Sequence, residues 1–157
     1  MKKIIVLFAL VLSGCGFRPM FSGQNADIYV PPISGINGIE LRNRLNAQFG
    51  GQHDATAPYT LTVSLGNPIT QYKALETTGD ATWQEIRLTA AYTLTRGDVT
   101  IASGNETASE SYTFVRYLVA SNASYNNAVQ NIIQLLATKI STRAIADVAH
   151  DASVASN

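Results

Sequence analysis

The 157-residue chain has one domain's length, and its 11 basic side chains are balanced by 11 acidic ones, so no basic field is available for general nucleic-acid binding. Charged residues make up only 14% of the chain against 46% apolar ones, enough to build a core and leave a polar, weakly charged surface. One cysteine excludes an internal disulfide and a cysteine-built metal cage.

The chain opens MKKIIVLFALVLSGC. Lys2 and Lys3 precede an uncharged apolar run, Ile4 to Leu12, and the small residues Ser13 and Gly14. This is the layout of a secretory signal peptide. The run rises only about 14 Å as a helix, against a bilayer core of about 30 Å, so a spanning anchor is not expected. Leu12-Ser13-Gly14-Cys15 resembles a bacterial lipobox. That resemblance implies removal of residues 1–14, a diacylglyceryl group on the Cys15 thiol and an acyl chain on its new amine. No other cofactor is expected. Each buried methylene contributes about 0.8 kcal/mol, so three chains on one residue form a durable membrane anchor. Gly16 stands where an aspartate tends to retain lipoproteins at the inner membrane. The expected location is therefore the outer membrane, with the anchor on its periplasmic side. Loss of Lys2 and Lys3 leaves 9 basic against 11 acidic side chains.

Residues 15–26 have no periodicity and read as a lipidated tether. Asp27 to Val30 is a short strand stopped by Pro31-Pro32. Helical spacing of Leu41, Leu45 and Phe49 marks a first helix within 34–51. Asn37 is its expected N-cap, with Glu40 closing a capping box, Arg42 and Arg44 facing outward, and Gly50-Gly51 ending it. Tyr59, Leu61, Val63 and Leu65 alternate with Thr60, Thr62 and Ser64, which is a half-buried strand. Asn67-Pro68 bends or bulges it, and Ile69 to Tyr72 can continue it. Residues 75–82 read as a loop. A hairpin spans 83–115: Ile86, Leu88, Ala90, Tyr92 and Leu94 lie on one face, Arg96-Gly97-Asp98 is the turn, and Tyr112 and Phe114 end the return. Gly104 suggests a bulge or a close approach. In 121–150 a longer helix carries the stripe Tyr125, Val129, Ile132, Leu136, Ile140 and Ala144, widened by Ala128 and Ile133, with Ser121 or Ser124 as cap. Residues 151–157 read as a flexible tail. The expected fold is α+β, in the order β-α-β-β-β-α: a four-stranded, mostly antiparallel sheet with two helices packed on one face. It forms a single domain over 27–150, with the first strand able to join in parallel.

Catalytic chemistry has little to stand on. His53 and His150 read as solvated surface residues. No phosphate-binding glycine loop, nucleophile elbow or metal-ligand spacing occurs. The carboxylates are scattered, with no pair on one expected face. Asn105-Glu106-Thr107 and Asn122-Ala123-Ser124 match glycosylation sequons by chance, given a bacterial leader.

The chain resembles the lipopolysaccharide-assembly lipoproteins, the LptE family. The resemblance starts at Cys15-Gly16-Phe17-Arg18-Pro19-Met20 and continues at Leu41-Arg42-Asn43-Arg44-Leu45 and Tyr59-x-Leu61-x-Val63. It then takes in Thr82 through Leu94, and Gly104, Ser111 and Tyr112 before a long alanine-bearing helix. It implies a lipid-anchored plug and assembly partner of the outer-membrane β-barrel LptD, contact with lipopolysaccharide, and no enzymatic activity. Few charges and many Ser, Thr and Asn residues suit a polar barrel lumen. For lipopolysaccharide, the resemblance implies cations near strand ends, with Lys73 and Arg87 the nearest candidates, and Trp83 and Tyr72 as packing surfaces for acyl chains or sugars. The second reading is a generic envelope lipoprotein whose α+β domain binds a ligand or serves secretion.

Overall fold

The computed structural model describes residues 26–75, 81–113 and 118–155. The expected leader, Cys15, most of the tether and Phe114 lie outside the described residues. The elements are β1 (Ile28–Tyr29), α1 (Ile36–Gln48), β2 (Tyr59–Leu65), β3 (Ile69–Leu75), β4 (Ala81–Arg96), β5 (Val99–Thr113) and α2 (Leu118–Ala155). They form the expected α+β arrangement, with a mixed sheet of five strands rather than four.

The sheet is organised on β4. Its residues Ile86, Leu88, Ala90, Tyr92 and Leu94 are each at most 5% exposed, the period-2 burial of a strand covered on one side. β5 pairs with β4 from Trp83 to Arg96, and this occupies one edge of β4. The other edge is shared. β2 takes Ala90 to Arg96, and β3 takes Ala81 to Arg87. β2 and β3 are thus two pieces of one line, interrupted at Gly66-Asn67-Pro68. Gly66 N–H donates to the Thr89 carbonyl at 2.9 Å across the break. Pro68 has no N–H to give the ladder, so the line resumes only at Ile69, which accounts for the fifth strand. β1 joins β2 in parallel, Ile28 opposite Tyr59.

Both helices cover the face that carries Leu61, Val63 and the buried β4 residues. Leu41 and Leu45 of α1, Phe49 at its C-cap, and Ile132, Ile133, Leu136 and Ile140 of α2 are all fully buried. Gly97 alone has positive φ (57°) in the two-residue hairpin turn, the pattern of a type II′ turn. Gly104 lies under the ring of Tyr92, its cross-strand partner. A Cβ there would stand 3.0 Å from the Tyr92 hydroxyl. The close approach expected at Gly104 is present, while the bulge falls at Ile101, between the pairs Leu94–Ala102 and Thr95–Thr100.

Several local expectations are corrected. Asn37 lies inside α1, and the N-cap is Gly35 with no side-chain cap; its φ of 83° suits glycine alone and brings the chain from Ile33 straight into the helix. Neither arginine of α1 is simply outward. Arg42 Nε donates to the Val30 carbonyl at 2.8 Å, and Arg44 pairs with Glu40 at 2.8 Å and reaches Gln130 and Gln134 on α2. His53 is not a solvated loop residue. Its Nδ1 stands 3.1 Å from Asp27 and its ring is 21% exposed. The second helix starts at Leu118, so Ser121 and Ser124 lie within it. It also runs through Ala155, five residues into the expected tail. Asp151 holds that end down: it accepts from Tyr59 Oη at 2.9 Å and pairs with Arg96 at 2.8 Å.

Two outcomes follow. Gly38 packs against Ile33, and a Cβ there would come within 2.8 Å of its carbonyl oxygen. Gly38→Ala should therefore destabilise by about 1–3 kcal/mol through overpacking, although alanine is the better helix former by ~1 kcal/mol; urea midpoints read the sign. Burial, then the hydrogen bond and charge of Asp151, push the Tyr59 hydroxyl above its ordinary range. A raised value favours the neutral form in the fold, so this stability is complete below pH ~10 and is lost as pH rises further. Melting between pH 8 and 11 should show the decline, and Tyr59→Phe should flatten it.

Candidate functional site

The sheet face opposite the helices is open. β2 contributes Thr62 and Ser64, β4 Thr89 and Ala91, and β5 Ser103, Asn105, Thr107, Ser109 and Ser111, all exposed. Thr89 and Thr107 sit opposite each other with hydroxyl oxygens 3.0 Å apart. Large side chains and charges are missing from this stretch, and small polar residues alternate with the buried ones.

Charge gathers at the end of that face where β3 meets β4. Glu85 Oε1 lies 3.4 Å from Lys73 Nζ and 3.1 Å from Arg87 Nη2. Glu85 is the less exposed member at 17%, with Lys73 at 44% and Arg87 at 48%. One carboxylate thus holds two half-exposed cations side by side, so the cluster carries a net positive charge. Trp83, 50% exposed, shares strand parity with Glu85 and Arg87 and belongs to the same face. Ile69, opposite Arg87 and 59% exposed, adds an apolar neighbour. The arrangement can hold an anion beside an apolar group.

Tyr72 does not join this cluster. It stands opposite Gln84, which is buried on the helix side. There it neighbours Tyr112, whose hydroxyl donates to Gln84 at 2.5 Å and whose ring meets Tyr125 edge-on at 6.0 Å. Burial, then Tyr125 and Tyr72, raise the Tyr112 hydroxyl above its ordinary range. Tyr72 itself is 70% exposed because neither helix packs closely on β3. Three of the four expected contact residues therefore share one face, and the fourth lies on the other.

Sequence reading missed Glu85 as the hub and Ile69 as a neighbour. The Trp83, Glu85, Arg87 alternation carried the signal on β4. The missing information was the register across the Gly66–Pro68 break, which brings Lys73 to Glu85. Among the described residues no group of three or more His, Cys, Asp or Glu side chains could hold a metal ion, and no helix is long and apolar enough to cross a membrane. A notch of about 410 Å³ lies between Gly35 and Ile36 at the start of α1, Gly66 and Pro68 in the strand break, and Tyr125 of α2.

Glu85→Ala should leave the fold standing, with a stability change of under ~1 kcal/mol in thermal or urea melts, because half-exposed ion pairs contribute little. Effects of that substitution on binding can then be read without correction for unfolding.

A family model described as LptE, lipopolysaccharide-assembly, matches residues 26–144. No curated protein sequence matches the chain. Among solved structures, a lipoprotein of Caulobacter crescentus superposes with a TM-score of 0.65 at 17% identity, over 80% of this chain and 93% of that one. Rare lipoprotein B of Shewanella oneidensis gives 0.63 at 13% identity, over 80% and 98%. Lipoprotein B of Nitrosomonas europaea gives 0.56 at 13%, over 78% and 86%. At such identities these likenesses speak to the fold.

Proposed function

The chain belongs to the LptE lipopolysaccharide-assembly family, and we propose that it is the lipid-anchored plug and assembly partner of an LptD-type outer-membrane β-barrel. In this reading Cys15 carries the anchor at the periplasmic side of the outer membrane, and the protein acts by binding rather than by catalysis. The observation that carries the reading is the open outer face. An antiparallel sheet covered on one side ordinarily carries polar residues on its free face. Over most of this face the residues are Ser, Thr, Asn and Ala, with charge confined to the Lys73, Glu85 and Arg87 end, which suits contact with the polar inner wall of a barrel, where an unpaired charge would be costly to desolvate.

Lys73, Arg87 and Trp83 form the contact for lipopolysaccharide in this proposal. The two cations meet phosphate oxygens and the indole meets sugar or acyl surface. Tyr72, on the other face, is not part of that contact. Glu85 acts as a competitor: it occupies both cations until a phosphate displaces it, and so weakens capture.

Two measurements test this. A C-terminally tagged chain, purified from outer membranes in mild detergent, should bring down a heat-modifiable barrel in roughly equal amount; recovery alone or with inner-membrane proteins would overturn the plug reading. In a direct binding assay with purified lipopolysaccharide, Lys73→Ala/Arg87→Ala should weaken binding by about threefold to tenfold, and Glu85→Gln should strengthen it, since each surface charge contact is worth ~0.2–1 kcal/mol. Equal affinities across these variants would remove the cluster from the contact.

A further inference from the structure

Among the described residues no strand pairs with one long edge of the sheet, the outer edge of β5. Gly66 N–H bonds the Thr89 carbonyl, so the backbone of Thr89 addresses the β2–β3 side of β4. Its β5 partner Thr107 therefore turns its own N–H and C=O away from β4, as alternate residues of an antiparallel ladder do. Ser103, Asn105, Ser109, Ser111 and Thr113 share that parity. Among the described residues one group reaches this row: Lys139 Nζ, which donates to the Thr107 carbonyl at 2.7 Å. The opposite edge is made differently. Pro68 precedes β3 and the register shifts at Lys73, and both devices blunt an edge against pairing. From Ala102 to Thr113, β5 has no proline and no register shift, and its outward row has no charge.

The surroundings of this edge are self-complementary. Lys139 of α2 stands over Thr107 and, among the described residues, engages its carbonyl alone. Glu110, opposite buried Ile86 and hence on the helix side of β5, has no ion-pair partner among the described residues. Leu135, one helical turn before Lys139, is an apolar side chain left 45% exposed. We propose that β5 pairs antiparallel with β5 of a second copy of this chain, about a two-fold axis at Ser109. Ser109 then faces its counterpart, Thr107 faces Ser111, and Ala108 faces Glu110. Lys139, above the Thr107–Ala108 step, meets Glu110 of the second copy, and symmetry forms the pair twice. The uncharged outward row opposes no like charges across the new ladder. Leu135 of each copy is covered near the axis, where the two α2 helices run side by side. The two sheets join into one; a copy enclosed in a barrel lumen has no room for this pairing, so the dimer is a state of the chain outside the barrel, and its test is independent of the barrel reading.

The test uses the full-length chain in mild-detergent micelles, with sedimentation across a concentration series and a benzophenone side chain placed at Ser109. A concentration-dependent dimer is expected, with a photo-crosslinked product of twice the chain's mass; the same probe at Thr62, on the outer face, should give none. Lys139→Glu and Glu110→Lys should each raise the dimer dissociation constant about tenfold or more, and the Lys139→Glu/Glu110→Lys double variant should restore it, as expected of a close charge pair across an interface. Lys139→Gln, a milder change, should weaken pairing by a smaller factor and serves if the reversal unfolds the chain. A monomer at every concentration would overturn the proposal. So would charge reversals without effect, or a crosslink from Ser109 to a different polypeptide alone.

Discussion

Alternating burial along β4 is the constraint from which the rest follows. Its inward residues carry the middle of the core, and β2, β3 and β5 all take their register from it. With a side-chain period of two, a slip of one residue would turn Leu88 and Leu94 to solvent and Arg87 to the core. Register is therefore strongly specified, because one face is buried. The same alternation separates stability from recognition. Everything the core needs lies on one face, and the side chains that can meet a ligand or a barrel wall lie on the other.

The chain uses its few charges at margins. Asp151, Arg96 and Tyr59 tie the end of α2 to the hairpin end of the sheet, and Asp27 and His53 tie the entry of the domain to the end of α1. Arg143 meets Glu106, a carboxylate only 7% exposed, at 2.6 Å. Between the helices the seam is mostly uncharged, with Gln48 near Thr138 and Ser141. Neutral polar contacts of this kind depend little on ionic strength, whereas exposed ion pairs are screened by salt. A protein read as standing in the envelope, where ionic conditions follow the surroundings, keeps most of its architecture independent of them.

Much of the fold was legible because the apolar positions repeat cleanly. Leu61 and Val63, the β4 run from Ile86 to Leu94, and the α2 stripe could each be assigned a face from spacing alone. Helix ends were less legible. Asn37 offered a cap that Gly35 took, because the turn out of Ile33 requires a positive φ and only glycine supplies it cheaply. The end of α2 was hidden because its hold is tertiary: nothing near Asp151 in the sequence announces Arg96 or Tyr59. The contact cluster was half legible. Trp83 and Arg87 share a parity that the pattern displays, but Lys73 reaches Glu85 only through the register that resumes after the strand break. Tyr72 was grouped with them by chemistry and separated from them by pleat.

The break at Gly66–Pro68 also divides the molecule in its mechanics. On the β2 side the sheet is backed by two helices and tied at its end by Asp151. On the β3 side neither helix packs closely on the strand itself, and Tyr72, on the helix side, stays 70% exposed. Local opening costs less where fewer apolar contacts must be given up. One strand, β4, therefore has a half well covered by helices and a half less covered, joined by an unbroken ladder to β5. The less covered half carries the cations and the indole, so the groups suited to an anion stand where the sheet has least helix behind it.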